Sequence, residues 1–162
     1  MIIRKAKPDD ENRIFEILDA AKAFMRSTGN TSQWDEEDYP GNMIKGDIAK
    51  GYGHVVEENG VVRAYFALIE GADPTYANIE GKWLNDEPYA VIHRVASDGT
   101  CHNILEAILE YAFSLIDNVR IDTHEDNGPM RHKLEKNGFT YCGTIYVSDG
   151  TPRRAYQKIG KK

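Results

Sequence analysis

The stretch from Tyr89 to Tyr146 switches repeatedly between strand-type and helix-type patterning, and this limits the available folds more than any other feature of the chain. "YAVIHRVA" (89–96) reads as a strong strand. Asn103 to Asn118 carries Ile104, Ile108, Ala112 and Leu115 on one helical stripe, widened by Leu105, Leu109 and Ile116. "NVRIDTH" (118–124) is again a strand. Asn127 can cap the next helix, Pro129 suits its first turn, and Gly138 ends it, with Phe139 folding back. A strand near 140–148 follows. Two strand–helix–strand passages in succession need crossover connections, so the sheet must be mixed and covered by helices on both faces.

The flanking segments fit that frame. Residues 1–7 (MIIRKAK) form a short strand, and Pro8, Asp9 and Asp10 open a helix with acids in its first turn. Ile14, Ile17, Leu18, Ala21, Phe24 and Met25 recur at helical spacing until Gly29 stops the helix. A polar loop with aromatic residues (Asn30 to Tyr39) leads to a weaker helix from about Pro40 to Lys50. Strands near 52–57 and 61–70 are joined by Glu58-Asn59-Gly60, the strongest short-range hairpin signal. "VVRAYFALIE" is almost continuously apolar, as a strand covered on both faces would be. The long connection 71–88, with Pro74, Tyr76, Trp83 and Pro88, should be functional or carry its own small core. A last strand at 153–158 follows a turn at Asp149-Gly150. The order β-α-α-β-β-β-α-β-α-β-β defines an α/β fold. It is read as one domain over residues 1–162, with a twisted mixed sheet of about seven strands and helices on both faces.

Composition narrows the function. Twenty basic against 26 acidic residues give a net charge of −6, which disfavours a nucleic-acid partner. The acidic stretch Asp35 to Asp38 is either a solvated loop or a contact for a cationic substrate. No run approaches the roughly 18 apolar residues of a membrane span, and Met1 to Lys7 lacks a signal peptide's apolar stretch. Two cysteines do not make a disulfide framework, so a cytoplasmic location and no membrane partner are expected. There is no H-E-x-x-H, C-x-x-C, G-x-S-x-G, P-loop or Rossmann glycine pattern, and no metal is expected. What remains is the turn "SDGTCHN" (97–103) between a strand and a helix. Gly99 permits a tight bend, Thr100 or Asn103 can cap or donate, and free amides at the helix start favour a phosphate or pyrophosphate.

The tail adds a resemblance. "VRIDTHEDNGPMRHKLEKNGFTYCGTIY" runs strand, Asp/Asn-rich turn, short helix, Gly-Phe stop and strand. It resembles the second half of the cofactor-binding core of the GNAT superfamily of N-acetyltransferases, on Asp122, Thr123, Asn127, Met130, Leu134, Glu135, Lys136, Gly138 and Phe139. "IHRVA" is similar to the family strand whose backbone holds the pantetheine arm. Gln33, Trp34, Tyr39 and Pro40 look like a loop that some bacterial members place over the acceptor, and "DGTPRRAYQK" is similar to their last hairpin. The element order agrees over nearly the whole chain. There are two departures. The family's Q/R-x-x-G-x-G/A cofactor loop is here roughly Asp98 to Asn103, shorter and without its basic residue and glycine pair. Leu134 stands where many members place a Tyr as general acid.

The resemblance implies an N-acetyltransferase that uses acetyl-CoA and acts on the amine of a small molecule by direct attack in a ternary complex; a homodimer is an assembly it leaves open. Val95 and Ala96 would hold the thioester carbonyl, Gly99, Thr100, Cys101, His102, Asn103 and Ile104 the phosphates, and Asn127 the pantetheine arm besides capping its helix. His93, on one face with Tyr89, Val91 and Val95 by alternation, is read as a general base or as a hydrogen-bonded core histidine. Arg94, on the opposite face, is expected in a structural ion pair. Trp34 and Tyr39 would wall an amine or pack the first two helices. Tyr76 and Trp83 would cap the acceptor pocket or build a satellite core. Tyr146 is the nearest replacement for the missing acid, or else an ordinary strand aromatic, and Cys101 is read as a small turn residue. Two further readings stay open: a non-catalytic CoA- or small-ligand-binding module that kept the fold and lost the cofactor loop, and an enzyme using another acyl or nucleotide donor.

Overall fold

Hydrophobic period sets the element order. In the computed structural model, which describes residues 1–31, 33–34 and 38–160, β1 (Ile2–Lys5) leads through a 3-10 turn at Pro8–Asp10 into α1 (Glu11–Ser27). Ile14, Ile17, Leu18 and Ala21 form the buried face of α1, and the chain leaves the helix at Gly29 with φ +88°. A second 3-10 turn (Gly41–Met43) starts α2 (Ile44–Lys50). The Asn59-Gly60 pair has positive φ at both residues and joins β2 (Gly53–Glu58) to β3 (Val61–Glu70), as the sequence predicts. The remaining elements are β4 (Glu80–Gly81), β5 (Ala90–Ser97), α3 (Ile104–Leu115), β6 (Asn118–Thr123), α4 (Gly128–Lys136), β7 (Thr140–Tyr146) and β8 (Pro152–Ile159).

All eight strands share one sheet in the order β1-β2-β3-β5-β6-β8-β7-β4. β5 and β6 are its parallel neighbours, and every other pairing is antiparallel. On one face Phe66, Ile92 and Tyr156 pack against Ile108 of α3 and Leu134 of α4. On the other, Tyr65 and Ala96 pack against Ile14 and Ile17 of α1 and Ile44 of α2. Among the described residues no helix is long and apolar enough to cross a membrane.

The eighth strand, β4, was invisible in the sequence because two residues carry no period. Gly81 pairs with Gly143, at φ +137° and +144°. A Cβ at Gly143 would meet the Glu80 carbonyl oxygen, and one at Gly81 the Cys142 carbonyl oxygen. Gly143→Ala should therefore lower stability by about 1–3 kcal/mol, seen as a lower urea midpoint. An unchanged midpoint would show that β4 separates freely from β7.

The long connection 71–88 has its own small core. Tyr76 is buried with Val91, Ile145 and Ala155, and the Trp83 indole donates to the Tyr76 carbonyl at 3.0 Å. The Arg120 guanidinium lies between the rings of Tyr89 (3.9 Å) and Trp83 (4.1 Å). Asn85 and Leu84 bond to side chains of Asn118 and Gln157, which fixes the connection onto β6 and β8.

Two irregularities in β5 position everything that follows. Tyr65 faces Ala96 while Ala67 faces His93, so Arg94 and Val95 together stand opposite Phe66 alone. That is a bulge, and Arg94 at its centre has φ +55°. The extra residue reverses the alternation. Val95 packs toward the α3 side, and Arg94 lies with His93 on the other side, correcting the faces expected from period two. In addition, β5 and β6 pair only at Ala90–Val119 and Val91–Arg120, and beyond these residues they separate.

Candidate active site

The parting of β5 and β6 opens a cleft of about 420 Å³. Ile92 to Val95 form one wall and Ile121 to Thr123 the other, with Asn127 and Met130 of α4 at the side. The segment joining α1 to α2 contributes Gln33, Trp34 and Tyr39, and the β7–β8 hairpin contributes Asp149 and Arg153.

His93 is held in the cleft from both sides of its ring. Its Nε2 is 3.0 Å from Asp73 Oδ2, and its Nδ1 is 4.0 Å from Asp122 Oδ2. Burial pushes the Asp73 carboxyl up, but hydrogen bonds from His93 and from the Thr75 hydroxyl and amide outweigh it and hold it at about 2. Asp73 is thus an ionised acceptor, and Nε2 must carry the proton shared with it. The neutral ring then presents its lone pair at Nδ1, on the Asp122 side. Asp122 is itself oriented by the Tyr76 hydroxyl, which donates to Oδ2 at 2.6 Å. Burial, with Asp122 adding to it, pushes the Tyr76 hydroxyl well up, so it remains a donor.

Beside this group Arg94 makes the expected ion pair. Its Nε and Nη2 donate to the two oxygens of Asp47 on α2 at 2.9 and 2.7 Å, and the Tyr65 hydroxyl donates to the same carboxylate at 2.6 Å. All three groups are buried or nearly so. A second organising residue is Gln33. Its side-chain oxygen accepts from Asn30 Nδ2, Thr123 Oγ1, the His124 amide and Asn127 Nδ2, all at 3.1–3.2 Å. Those donors fix which end of the Gln33 amide is oxygen.

In the 97–103 turn the Gly99 and Thr100 amides already donate to Ser97 Oγ (3.1 Å) and Asp98 Oδ1 (3.0 Å), which leaves the start of α3 for an anion. The start of α3 has no side-chain cap, so Asn103, at φ +62°, does not cap the helix as Asn127 caps α4 through the Met130 amide. Asp98, the acid that would repel phosphate, is turned onto Arg13 (2.6 Å) and Arg63 (3.3 Å). Burial pulls its carboxyl up, but the bonds from Thr100 and the two guanidiniums bring it down overall. The residues fit a coenzyme A molecule: the uncapped start of α3, apolar Ile92, Ile121 and Met130 in the cleft, and Asn127 at its side.

Of the residues expected at the site, His93, Val95, Asn127, Trp34 and Tyr39 line the cleft. Gly99, Thr100, Cys101, His102, Asn103 and Ile104 lie outside its lining, and Ala96 is buried against the α1 side. Tyr76 and Trp83 belong to the satellite core, not the cleft wall. Tyr146 is exposed, and its hydroxyl donates to Glu80 Oε1 at 3.0 Å, outside the cleft. Leu134 is fully buried. Of the acidic stretch, Asp35, Glu36 and Glu37 lie outside the described residues. Asp73 and Arg153 are cleft residues that the sequence does not mark, and Asp122 stands in it only as part of the family resemblance. Pairings made across tens of residues leave no local signal, although Asp73 followed by Pro74 in a long connection was a usable hint.

No family model and no curated protein matches the sequence. Solved structures do. An acetyltransferase of the GNAT family from Streptococcus agalactiae 2603 is 37% identical, with a TM-score of 0.90, over 99% of this chain and 96% of that one. A GNAT-family acetyltransferase from Listeria monocytogenes 4b F2365 shares the fold, with a TM-score of 0.73 at 17% identity over 98% and 94% of the two chains. The chain belongs to the GNAT family of acetyltransferases.

Proposed function

We propose that the protein is an acetyl-CoA-dependent N-acetyltransferase that acts on the amine of a small molecule by direct attack in a ternary complex. The observation that carries this reading is the cleft between β5 and β6, with His93 and its two carboxylates on its walls and the uncapped start of α3 close in sequence. When bound, acetyl-CoA supplies an activated acyl thioester.

An alkyl ammonium, with a pKa near 10, is almost wholly protonated at neutral pH, so a base must act before attack. His93 Nδ1 takes that proton, directly or through water. Asp73 keeps the ring in the correct tautomer, and Asp122 faces the imidazolium charge as it forms. Val95, the second residue of the bulge, is assigned to the thioester carbonyl through its amide, a donor worth about 3 kcal/mol in the transition state. Trp34 and Tyr39 wall the acceptor. Neither buried Leu134 nor Tyr146, engaged by Glu80, offers a proton to the departing sulfur.

Titrating the protein with coenzyme A in a calorimeter and following thiol release from acetyl-CoA with an amine panel tests the reading. Saturable heat and amine-dependent thiol release are expected. Absence of both heat and thermal shift at millimolar cofactor would favour a non-catalytic module that kept the fold.

A further inference from the structure

The charges in the cleft do not balance pairwise. Arg94 is neutralised by Asp47, and Asp73 accepts a hydrogen bond from His93. Arg153 is different. It is only 8% exposed, it lines the cleft, and its hydrogen bonds go to neutral oxygens: Thr151 Oγ1, the Pro152 carbonyl and the Gln33 carbonyl. Among the described residues it has no ion-pair partner. Asp149, the acid of the hairpin, lies near enough for Arg153 to act on its charge, but it accepts its hydrogen bonds from the Thr151 amide and hydroxyl and none from Arg153. A buried guanidinium with no carboxylate bonded directly to it is costly, and its planar donors match one.

Sheet register places this cation relative to the base. Asp122 on β6 stands opposite Ala155 on β8, and Arg153 lies two residues from Ala155 on the same face. Such diagonal neighbours are roughly 7–8 Å apart, within reach of long side chains. Asp122 in turn is 4.0 Å from His93 Nδ1. Across β8, β6 and β5 the cleft floor therefore runs cation, anion, base. Tyr39, which wall and floor share, senses the charges of Arg94, Asp122 and Arg153 together.

We propose that the acceptor is a small amino acid, its amine at His93 and Asp122 and its carboxylate on Arg153. This rests on the acetyltransferase reading and adds the second recognition point. An amine that lacks an acid would leave Arg153 unpaired and gain nothing from it.

The test is acetyl transfer to glycine, β-alanine, 4-aminobutyrate and the L-α-amino acids, each paired with its own carboxamide. The best acid should exceed its carboxamide in kcat/KM by roughly 10- to 100-fold, the value of a charge-assisted bidentate pair. Arg153→Met should bring that ratio close to one, and Arg153→Lys should retain part of it. A merely structural Arg153 would alter rates for acid and carboxamide alike and leave the ratio intact. Equal turnover of acids and carboxamides, or coenzyme A binding with transfer only to amines that lack a carboxylate or to none of these probes, overturns the proposal. No coenzyme A binding at all would instead remove the acetyltransferase reading on which it stands.

Discussion

His93→Ala should lower kcat at neutral pH by about 10²- to 10⁴-fold, the usual contribution of a positioned general base. The pH profile separates this from a loss of packing. In the wild type the base takes the proton from the bound amine, so the rate reaches a plateau well below the pKa of the amine. Without it, only amine that has already lost its proton can react, so the rate should climb about tenfold per pH unit toward the pKa of the amine near 10. Asp73 does not blur that profile. Its carboxyl is held at about 2, below the usual carboxylate range, so the stability its ionised form adds is present above about pH 4 and is lost as pH falls toward 2. The anchor of the 71–76 segment persists throughout the assay range. A His93→Ala enzyme with full rate and an unchanged profile would make His93 a structural residue.

The second large effect is on stability. Asp47→Ala removes the partner of a buried guanidinium and leaves the Tyr65 hydroxyl without its acceptor, and it should cost about 3–5 kcal/mol. Arg94 lies at the bulge with φ +55°, a conformation a non-glycine residue adopts only when its surroundings impose it. The bidentate pair with Asp47 is what the structure shows holding that side chain. Urea unfolding of Asp47→Ala measures the cost, and coenzyme A titration of the surviving folded protein should show weaker binding as the β5 wall relaxes. If Asp47→Ala unfolds outright, Asp47→Asn, which keeps an acceptor for Arg94, should fold with an intermediate midpoint. A wild-type midpoint in Asp47→Ala would mean that Arg94 is not held by this pair.

Period and punctuation made most of the fold legible in the sequence. The α1 stripe from Ile14 to Ala21, the Asn59-Gly60 hairpin, the β5-α3-β6 crossover and the Asn127 cap stand where the residues indicated, while Phe24 at the end of that stripe is exposed. What the sequence hid has a common cause. "YAVIHRVA" looks regular, because a bulge adds a residue without changing residue type, and so Val95 and Arg94 were placed on the wrong faces. The reach of Arg13 to Asp98 crosses 85 positions, and that of Gln33 to Asn127 crosses 94. Neither can be read from a window of 11 to 18 residues, about the span in which hydrophobic periodicity is informative. The two arginines that face Asp98, Arg13 and Arg63, are 85 and 35 positions away. Tyr76 and Trp83 offered two readings, and satisfied bonds to Asp122 and the Tyr76 carbonyl place them in the satellite core.

One oxygen on Gln33 ties the segment between α1 and α2 to the end of β6 and to the start of α4. The two halves of the pocket are thereby riveted through that oxygen. A change that retunes one chamber, in a descendant of this protein or in a redesigned one, is transmitted to the other unless that rivet is moved as well.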